Sequence, residues 1–155
     1  SAAYTAKQIA EYAKGQNFDL IFFGKETIDY NGAEVGAMLA EHLDLPYIAF
    51  ASKLDLNGNT ATVERDIEGG VEVLEVDLPF VVSAAKGMAE QRIPNMRGIM
   101  MARTKPLQVV PPVATDEPVK TVRFTLPPAK AGVKLVDPEQ MDELVRLLHE
   151  EAKVL

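Results

Sequence analysis

The sequence predicts an α/β fold in which an open, mostly parallel β-sheet is extended by an antiparallel hairpin. Helix-like and strand-like patterns alternate at the start of the chain, at the spacing of crossover connections between parallel strands. Two stretches typical of hairpin turns, Asn57-Gly58-Asn59 and Glu68-Gly69-Gly70, then separate three stretches of alternating apolar and polar residues. With 155 residues, the chain is long enough to bury a core without disulfides or metal ions.

The first third of the chain supplies the parallel part. The alanine-rich stretch Ala3–Lys14 has apolar residues at helical spacing, which predicts a helix. The apolar run Leu20–Gly24 is typical of a buried parallel strand. From Val35 to Leu43, apolar residues recur at i, i+3, i+4, i+7 and i+8, which predicts an amphipathic helix. The run Tyr47–Ala51 then predicts a second strand.

The middle of the chain predicts the antiparallel extension and one more strand. Apolar and polar residues alternate in Ser52–Leu56, Thr60–Ile67 and Val71–Val76, as in strands that bury one face. Pro79 begins a further strand, whose apolar run is Phe80–Ala84.

The C-terminal third predicts two short strands and one helix. Leu107–Val110 and Val119–Leu126 are strand candidates with a proline-containing linker between them. Asp137 is a favourable N-cap residue, and the proline after it suits the first helical position. We therefore expect one domain over residues 1–155 with a helical extension over residues 137–155.

The composition excludes several classes of site. The chain has no cysteine, which excludes disulfide scaffolds, cysteine nucleophiles and thiolate-held clusters. The two histidines, His42 and His149, are far apart in sequence, so a histidine metal site is not expected. No apolar run approaches the ~20 residues of a membrane helix, and a net charge of −7 argues against a nucleic-acid partner. These features favour a protein of the cytoplasm, where thiols stay reduced.

One segment reverses the acidic charge of the rest. Residues 86–105 carry five basic side chains against one acidic side chain, a local charge of +4, and contain four of the six methionines. Flexible methionines among basic groups suit a surface that fits several partners. The alternative is a short helix that buries its methionines in the core and leaves its arginines in water. Both interpretations stay open at this point.

The segment Gly24–Gly36 is the candidate ligand site. It follows a predicted strand and opens a predicted helix, and ligands of open α/β sheets bind beyond the carboxyl ends of the strands. Glycines and a helix N-terminus favour a phosphate group. The segment is neither G-x-x-x-x-G-K-[ST] nor G-x-G-x-x-G, so an ordinary strand–helix turn is the competing interpretation. No Ser–His pairing accompanies it, which argues against a hydrolase.

Three segments in order resemble the beta subunit of electron-transfer flavoprotein. They are FDLIFFGKETIDYNGAEVGAMLAEHLDLPYIAFAS from Phe18, VERDIEGGVEVLEVDLPFVVSA from Val63 and RIPNMRGIMMARTKPLQVV from Arg92. The resemblance covers most of the chain, and three ordered motifs are more specific than any one of them. It implies an open, Rossmann-like fold of the adenine-nucleotide-binding type, with helices on both faces of the sheet. It also implies that the fold is truncated at its N-terminus, because the family's first strands have no counterpart here.

The resemblance implies an electron carrier and not an enzyme. A beta subunit of this family pairs with a larger, FAD-carrying alpha subunit, docks flavin dehydrogenases and passes their electrons onward, while the flavin supplies the redox chemistry. Most members bind AMP in the beta subunit, and electron-bifurcating relatives bind a second FAD there. Two alternatives remain: a stand-alone adenine-nucleotide-binding protein of universal-stress-protein-like fold, and a purely structural dimerisation domain.

The resemblance also implies site residues. The nucleotide loop corresponds to Gly24, Lys25, Thr27, Asp29, Ala33, Glu34 and Val35. Glu34 stands where the family usually has glutamine. Arg65 and Asp66 correspond to a motif that faces the flavin domain of the alpha subunit. The recognition loop contributes an apolar anchor and steering charges; its residues are Arg92, Met96, Arg97, Ile99 and Arg103, with Met96 as the anchor.

Overall fold

The computed structural model describes residues 1–130 and 132–155, which form two compact units, Ser1–Lys120 and Thr121–Leu155. The elements of the first unit are α1 (Ala2–Ala13), β1 (Leu20–Gly24), α2 (Glu34–Leu43), β2 (Tyr47–Asn57), β3 (Thr60–Ile67), β4 (Gly70–Asp77), β5 (Phe80–Ala84) and α3 (Met96–Ala102). The second unit contains α4 (Met141–Leu147), which continues as a π-helical turn over Leu148–Ala152. The predicted α/β class is confirmed.

The five strands form one sheet in the order β1-β5-β2-β3-β4. Strand β5 lies between β1 and the first part of β2 and pairs with both in parallel. The remaining two pairings, β2 with β3 and β3 with β4, are antiparallel. The described sheet is therefore evenly mixed and not mostly parallel, because the hairpin contributes as many strand pairings as the parallel part.

Strand β2 joins the two parts of the sheet. The prediction divided it into two strands, Tyr47–Ala51 and Ser52–Leu56, whereas the structure has one strand of 11 residues. The register against β5 shifts between Ile48 and Ala51, and Phe50 has a φ of +60° there. This irregularity is a β-bulge, which bends a strand. At this point β2 ends its parallel pairing with β5 and begins its antiparallel pairing with β3.

Each face of the sheet carries its own apolar cluster. On one face, both α1 and α2 pack against β5; this cluster contains Ala10, Leu39, Ala40 and Val81. On the other face the cluster comes from the strands and Met88; its buried members are Ile48, Ala51, Ala61, Val63, Phe80 and Val82. Among the residues described in this unit, helices pack on one face only, which corrects the expected helices on both faces. The hairpin brings its own apolar side chains to the second face.

The C-terminal third departs furthest from the prediction. Residues 107–110 and 119–126 form no strand, because no described strand pairs with their backbone. The C-terminal helix begins at Met141, since the residues before it form a turn. In that turn the Asp137 carboxylate accepts a hydrogen bond from the Glu139 N–H at 2.9 Å, and the Asp137 carbonyl accepts one from the Gln140 N–H at 2.9 Å. Asp137 caps a turn and not the helix.

We predict that Val63→Ala lowers the free energy of unfolding by about 2 kcal/mol. Val63, on β3, is fully buried in the apolar cluster that β2, β3 and β5 form. Val73→Ala is a matched control on the neighbouring strand. Val73 is 61% exposed, so its truncation costs less than about 0.5 kcal/mol. Urea unfolding followed by circular dichroism measures both. Equal losses in the two variants would contradict this description of the core.

Candidate functional site

The loop between β1 and α2 closes around Thr27. The Thr27 N–H donates to the Gly32 carbonyl at 2.9 Å, and the Thr27 hydroxyl accepts a hydrogen bond from the Gly32 N–H at 3.2 Å. The Thr27 carbonyl accepts a third hydrogen bond, from the Asn31 N–H at 3.0 Å. Asn31 has a φ of +51°, a conformation that asparagine tolerates better than most residues. All three hydrogen bonds join residues of the loop itself, and they fix its backbone.

A cleft of about 230 Å³ lies between this loop, α1 and Tyr47. Helix α1 contributes Thr5 and Ile9 to its wall. Five of the seven predicted nucleotide-binding residues also line it: Gly24, Lys25, Thr27, Ala33 and Val35. Complete small-molecule sites usually enclose roughly 300–1,000 Å³. The cleft is therefore smaller than a complete site for a ligand of that size.

The N-terminus of α2 forms one end of the cleft. Ala33 occupies the N-cap position and offers no side-chain acceptor to the backbone N–H groups of the first turn. Ala33 and Gly36 both line the cleft. A Cβ atom on Gly36 would lie 3.0 Å from the Tyr47 ring, so a glycine is needed where this ring packs on the helix. Helix N–H groups without a side-chain cap are suited to bind an anion.

The two acidic residues of the predicted set, Asp29 and Glu34, do not line the cleft. Asp29 Oδ1 accepts a hydrogen bond from the Tyr30 N–H at 3.1 Å. A hydrogen bond from the Thr27 hydroxyl, together with backbone N–H donors, holds the pKa of Asp29 below its usual value. Glu34 Oε2 lies 2.9 Å from the position that a Cβ on Gly32 would take. Both carboxylates are thus turned toward the backbone of the loop.

Sequence reasoning missed Phe50, at the register shift within β2, and Ser83, near the end of β5. The Phe50 N–H donates a hydrogen bond to Ser83 Oγ at 2.8 Å. Lys25 Nζ lies 5.6 Å from the centroid of the Phe50 ring, within the range of a cation–π interaction. Phenylalanine in an apolar run resembles an ordinary core residue, and both partners are distant in sequence. No local pattern could have indicated these contacts.

The predicted partner residues Arg65 and Asp66 project from opposite faces of β3, since successive strand residues alternate. Arg65 Nε lies 2.5 Å from Glu72 Oε2 on β4, and both side chains are half-buried. Asp66 is exposed. Arg65 therefore forms an ion pair within this chain while about a third of its side chain, 33%, stays exposed, and Asp66 is the more exposed of the two residues.

The basic segment 86–105 contains α3, which begins at Met96. The Asn95 side chain caps this helix by accepting a hydrogen bond from the Gly98 N–H at 2.8 Å. No residue of α3 is buried, and Met96 is 73% exposed. Every residue of the predicted recognition set is exposed; the set is Arg92, Met96, Arg97, Ile99 and Arg103. Of the four methionines, only Met88 packs against the strand cluster, so the surface interpretation holds for the other three.

Two other features are absent from residues 1–130 and 132–155, a metal-binding cluster and a membrane-spanning helix. No group of three or more acidic or histidine side chains there is arranged to hold a metal ion. No helix in these ranges combines the length and apolar character needed to cross a membrane.

Comparison with known proteins gives a consistent set of relatives. Residues 1–115 match the family described as "Electron transfer flavoprotein domain". A Bacillus subtilis protein named "Electron transfer flavoprotein subunit beta" is 42% identical over 98% of this chain and 63% of its own length. A Syntrophomonas wolfei protein of the same name is 38% identical over 85% of this chain and 53% of its own length. A rice protein with that name and the word "mitochondrial" is 38% identical, over 97% of this chain and 60% of its own length. The chain thus spans between 53% and 63% of the length of these three relatives.

We predict that Thr27→Val raises the pKa of Asp29 toward its ordinary value, because the Thr27 hydroxyl is the largest cause of the lowered value. The same variant should speed hydrogen exchange of the Gly32 N–H, which loses its acceptor. A titration followed by carboxyl NMR signals measures the first effect. Thr62→Val on β3 serves as the control and should leave Asp29 unchanged. An unaltered Asp29 titration in Thr27→Val would contradict the described loop.

Proposed function

This chain belongs to the electron transfer flavoprotein family, in which its relatives are named beta subunits, and we propose on that basis that it is one half of a two-chain electron carrier. The match over residues 1–115 carries the proposal, because it includes both the loop of residues 24–36 and the basic segment 86–105. The other half is a larger alpha subunit that carries FAD. The bound flavin supplies the electron-transfer chemistry. This chain holds the alpha subunit and docks the dehydrogenase.

The loop cleft is the proposed nucleotide site. Two features support it: the uncapped N-terminus of α2 and the lysine at residue 25. Of the acidic residues of the loop, Asp29 and Glu34 lie outside the cleft, whereas Glu26 lines it. Ala33 and Val35 would hold the phosphate through their backbone, with Lys25 as the nearby cation. The proposed ligand is AMP or a second FAD, and a cleft of about 230 Å³ encloses only part of either molecule.

The basic segment 86–105 is the proposed docking surface for flavin dehydrogenases. The Asn95 cap begins α3 at Met96 and leaves this side chain 73% exposed at the start of the helix. An exposed apolar side chain surrounded by arginines suits an anchor that inserts into a pocket after charge has guided the encounter. Arg65 and Asp66 on β3 are the proposed contacts with the flavin domain of the alpha subunit, and Asp66 is the more exposed of the two.

The relatives do not favour a stand-alone, universal-stress-protein-like nucleotide-binding protein, since all three carry the name of an electron transfer flavoprotein subunit. A cytoplasmic location is proposed from the absence of cysteine, although the rice relative is named as mitochondrial.

We predict that Met96→Ala slows electron transfer from a cognate dehydrogenase by about tenfold, since anchor residues at interface centres contribute more than about 1 kcal/mol. Stopped-flow reduction of the flavin in the assembled complex measures the rate. Met141→Ala is the control, because Met141 is also more than half exposed but lies outside the basic segment. Gel filtration should show unchanged assembly for both variants. A wild-type rate in Met96→Ala would contradict the docking role.

We predict that Glu34→Gln strengthens AMP binding by about fivefold. The substitution removes a carboxylate from the first turn of α2, close to the helix N-terminus that is proposed to hold the phosphate, and the repulsion between the two charges at this exposed site is worth about 1 kcal/mol. Glu41→Gln removes the same charge from the far end of the helix and should have little effect. Calorimetric titration measures both affinities. Weaker binding by Glu34→Gln would show that the carboxylate contacts the ligand favourably.

A further inference from the structure

Phe50 has an unusual backbone conformation for its position. Its φ of +60° is in the left-handed region, which a bulky side chain rarely adopts. The described residues other than glycine with positive φ are Asn17, Asn31, Asp44, Phe50 and Lys153, and Phe50 is the one that lies within a strand. Such a conformation costs free energy and persists only when surrounding contacts hold it. The contacts of Phe50 therefore show what holds its backbone in this conformation and where the conformation places its side chain.

A buried hydroxyl holds this conformation. Ser83 lies on β5 and is 1% exposed, and it is the one buried polar residue found in the described part of the chain. Its Oγ accepts the hydrogen bond from the Phe50 N–H at 2.8 Å. The bulge removes this N–H from the regular ladder between β2 and β5, so the serine supplies the acceptor that the ladder lacks.

The conformation places the Phe50 ring beneath Lys25. Phe50 is 38% exposed, and Lys25 Nζ lies 5.6 Å from the centroid of its ring. Lys25 follows the last residue of β1, whereas Phe50 belongs to β2, and β5 lies between these two strands. The lysine side chain therefore crosses the carboxyl end of β5. This edge of the parallel strands is where ligands of open α/β sheets bind.

We infer that Phe50 is a positioning residue which, held by Ser83, keeps the Lys25 ammonium group across the end of β5 for the phosphate of a nucleotide in the loop cleft. This inference rests on the nucleotide site proposed above. A lysine side chain without such a contact samples many rotamers, and binding must then restrict it. A ring that restrains the lysine beforehand strengthens phosphate binding without itself contacting the ligand.

The role can be separated from simple packing with two ligands, three single variants and one double variant of the full-length protein. Phe50→Leu keeps an apolar side chain but removes the aromatic face, whereas Phe50→Tyr keeps both. Lys25→Met removes the charge. If the ring acts through the lysine, Phe50→Leu weakens AMP binding threefold or more and leaves adenosine binding unchanged. Phe50→Tyr should bind AMP as the wild type does, and Phe50→Leu should have no added effect in the Lys25→Met background. Unchanged AMP binding in Phe50→Leu, or equal losses for AMP and adenosine, would overturn the inference.

A second measurement examines the positioning without any ligand. The side-chain protons of Lys25, assigned by comparison with Lys25→Met in lysine-labelled protein, should show an upfield ring-current shift in the wild type. This shift should be lost in Phe50→Leu, reduced in Ser83→Ala and kept in Phe50→Tyr. Its absence in the wild type would overturn the positioning role. Its presence in a protein that binds neither AMP nor adenosine would support the positioning role and contradict the proposed nucleotide site.

Discussion

The arrangement of the sheet depends on one hydrogen bond, which the Phe50 N–H donates to Ser83 Oγ. On one side of it, β2 runs parallel to β5; beyond it, the same strand runs antiparallel to β3. A strand that changes partners loses regular ladder contacts at the change, and a buried donor left without an acceptor there would destabilise the fold. The serine hydroxyl removes that penalty and allows one continuous strand to belong to both parts.

The two parts of the sheet have different uses in the proposed carrier. The parallel part presents the carboxyl edge on which the loop, α1 and Tyr47 enclose the cleft. The antiparallel part extends away from that edge and exposes Asp66. The basic segment follows β5 and carries a charge of +4 in a chain whose net charge is −7. Binding of a nucleotide and docking of a partner are thus assigned to separate surfaces of the first unit.

The sequence predicted what local patterns control and missed what depends on distant contacts. The elements up to residue 84 follow from periodicity and turn residues, and five of the seven loop residues predicted to bind a nucleotide line one cleft. The division of β2 was wrong, because the irregularity at Phe50 depends on a serine 33 residues away. Asp137 was wrongly assigned as a helix cap, because the competing turn uses the same carboxylate. Helices on both faces were expected, but the hairpin covers the second face with its own side chains.

Native mass spectrometry of the full-length protein, co-expressed with its flavin-carrying partner, tests the central claim most directly. A member of this family that acts as a carrier subunit should form a 1:1 complex, and mild denaturation should release one FAD and one AMP from it. Both nucleotides can be identified by their masses and by absorbance. A chain that purifies as a monomer without flavin or nucleotide, or that binds and hydrolyses ATP by itself, would contradict the proposed role.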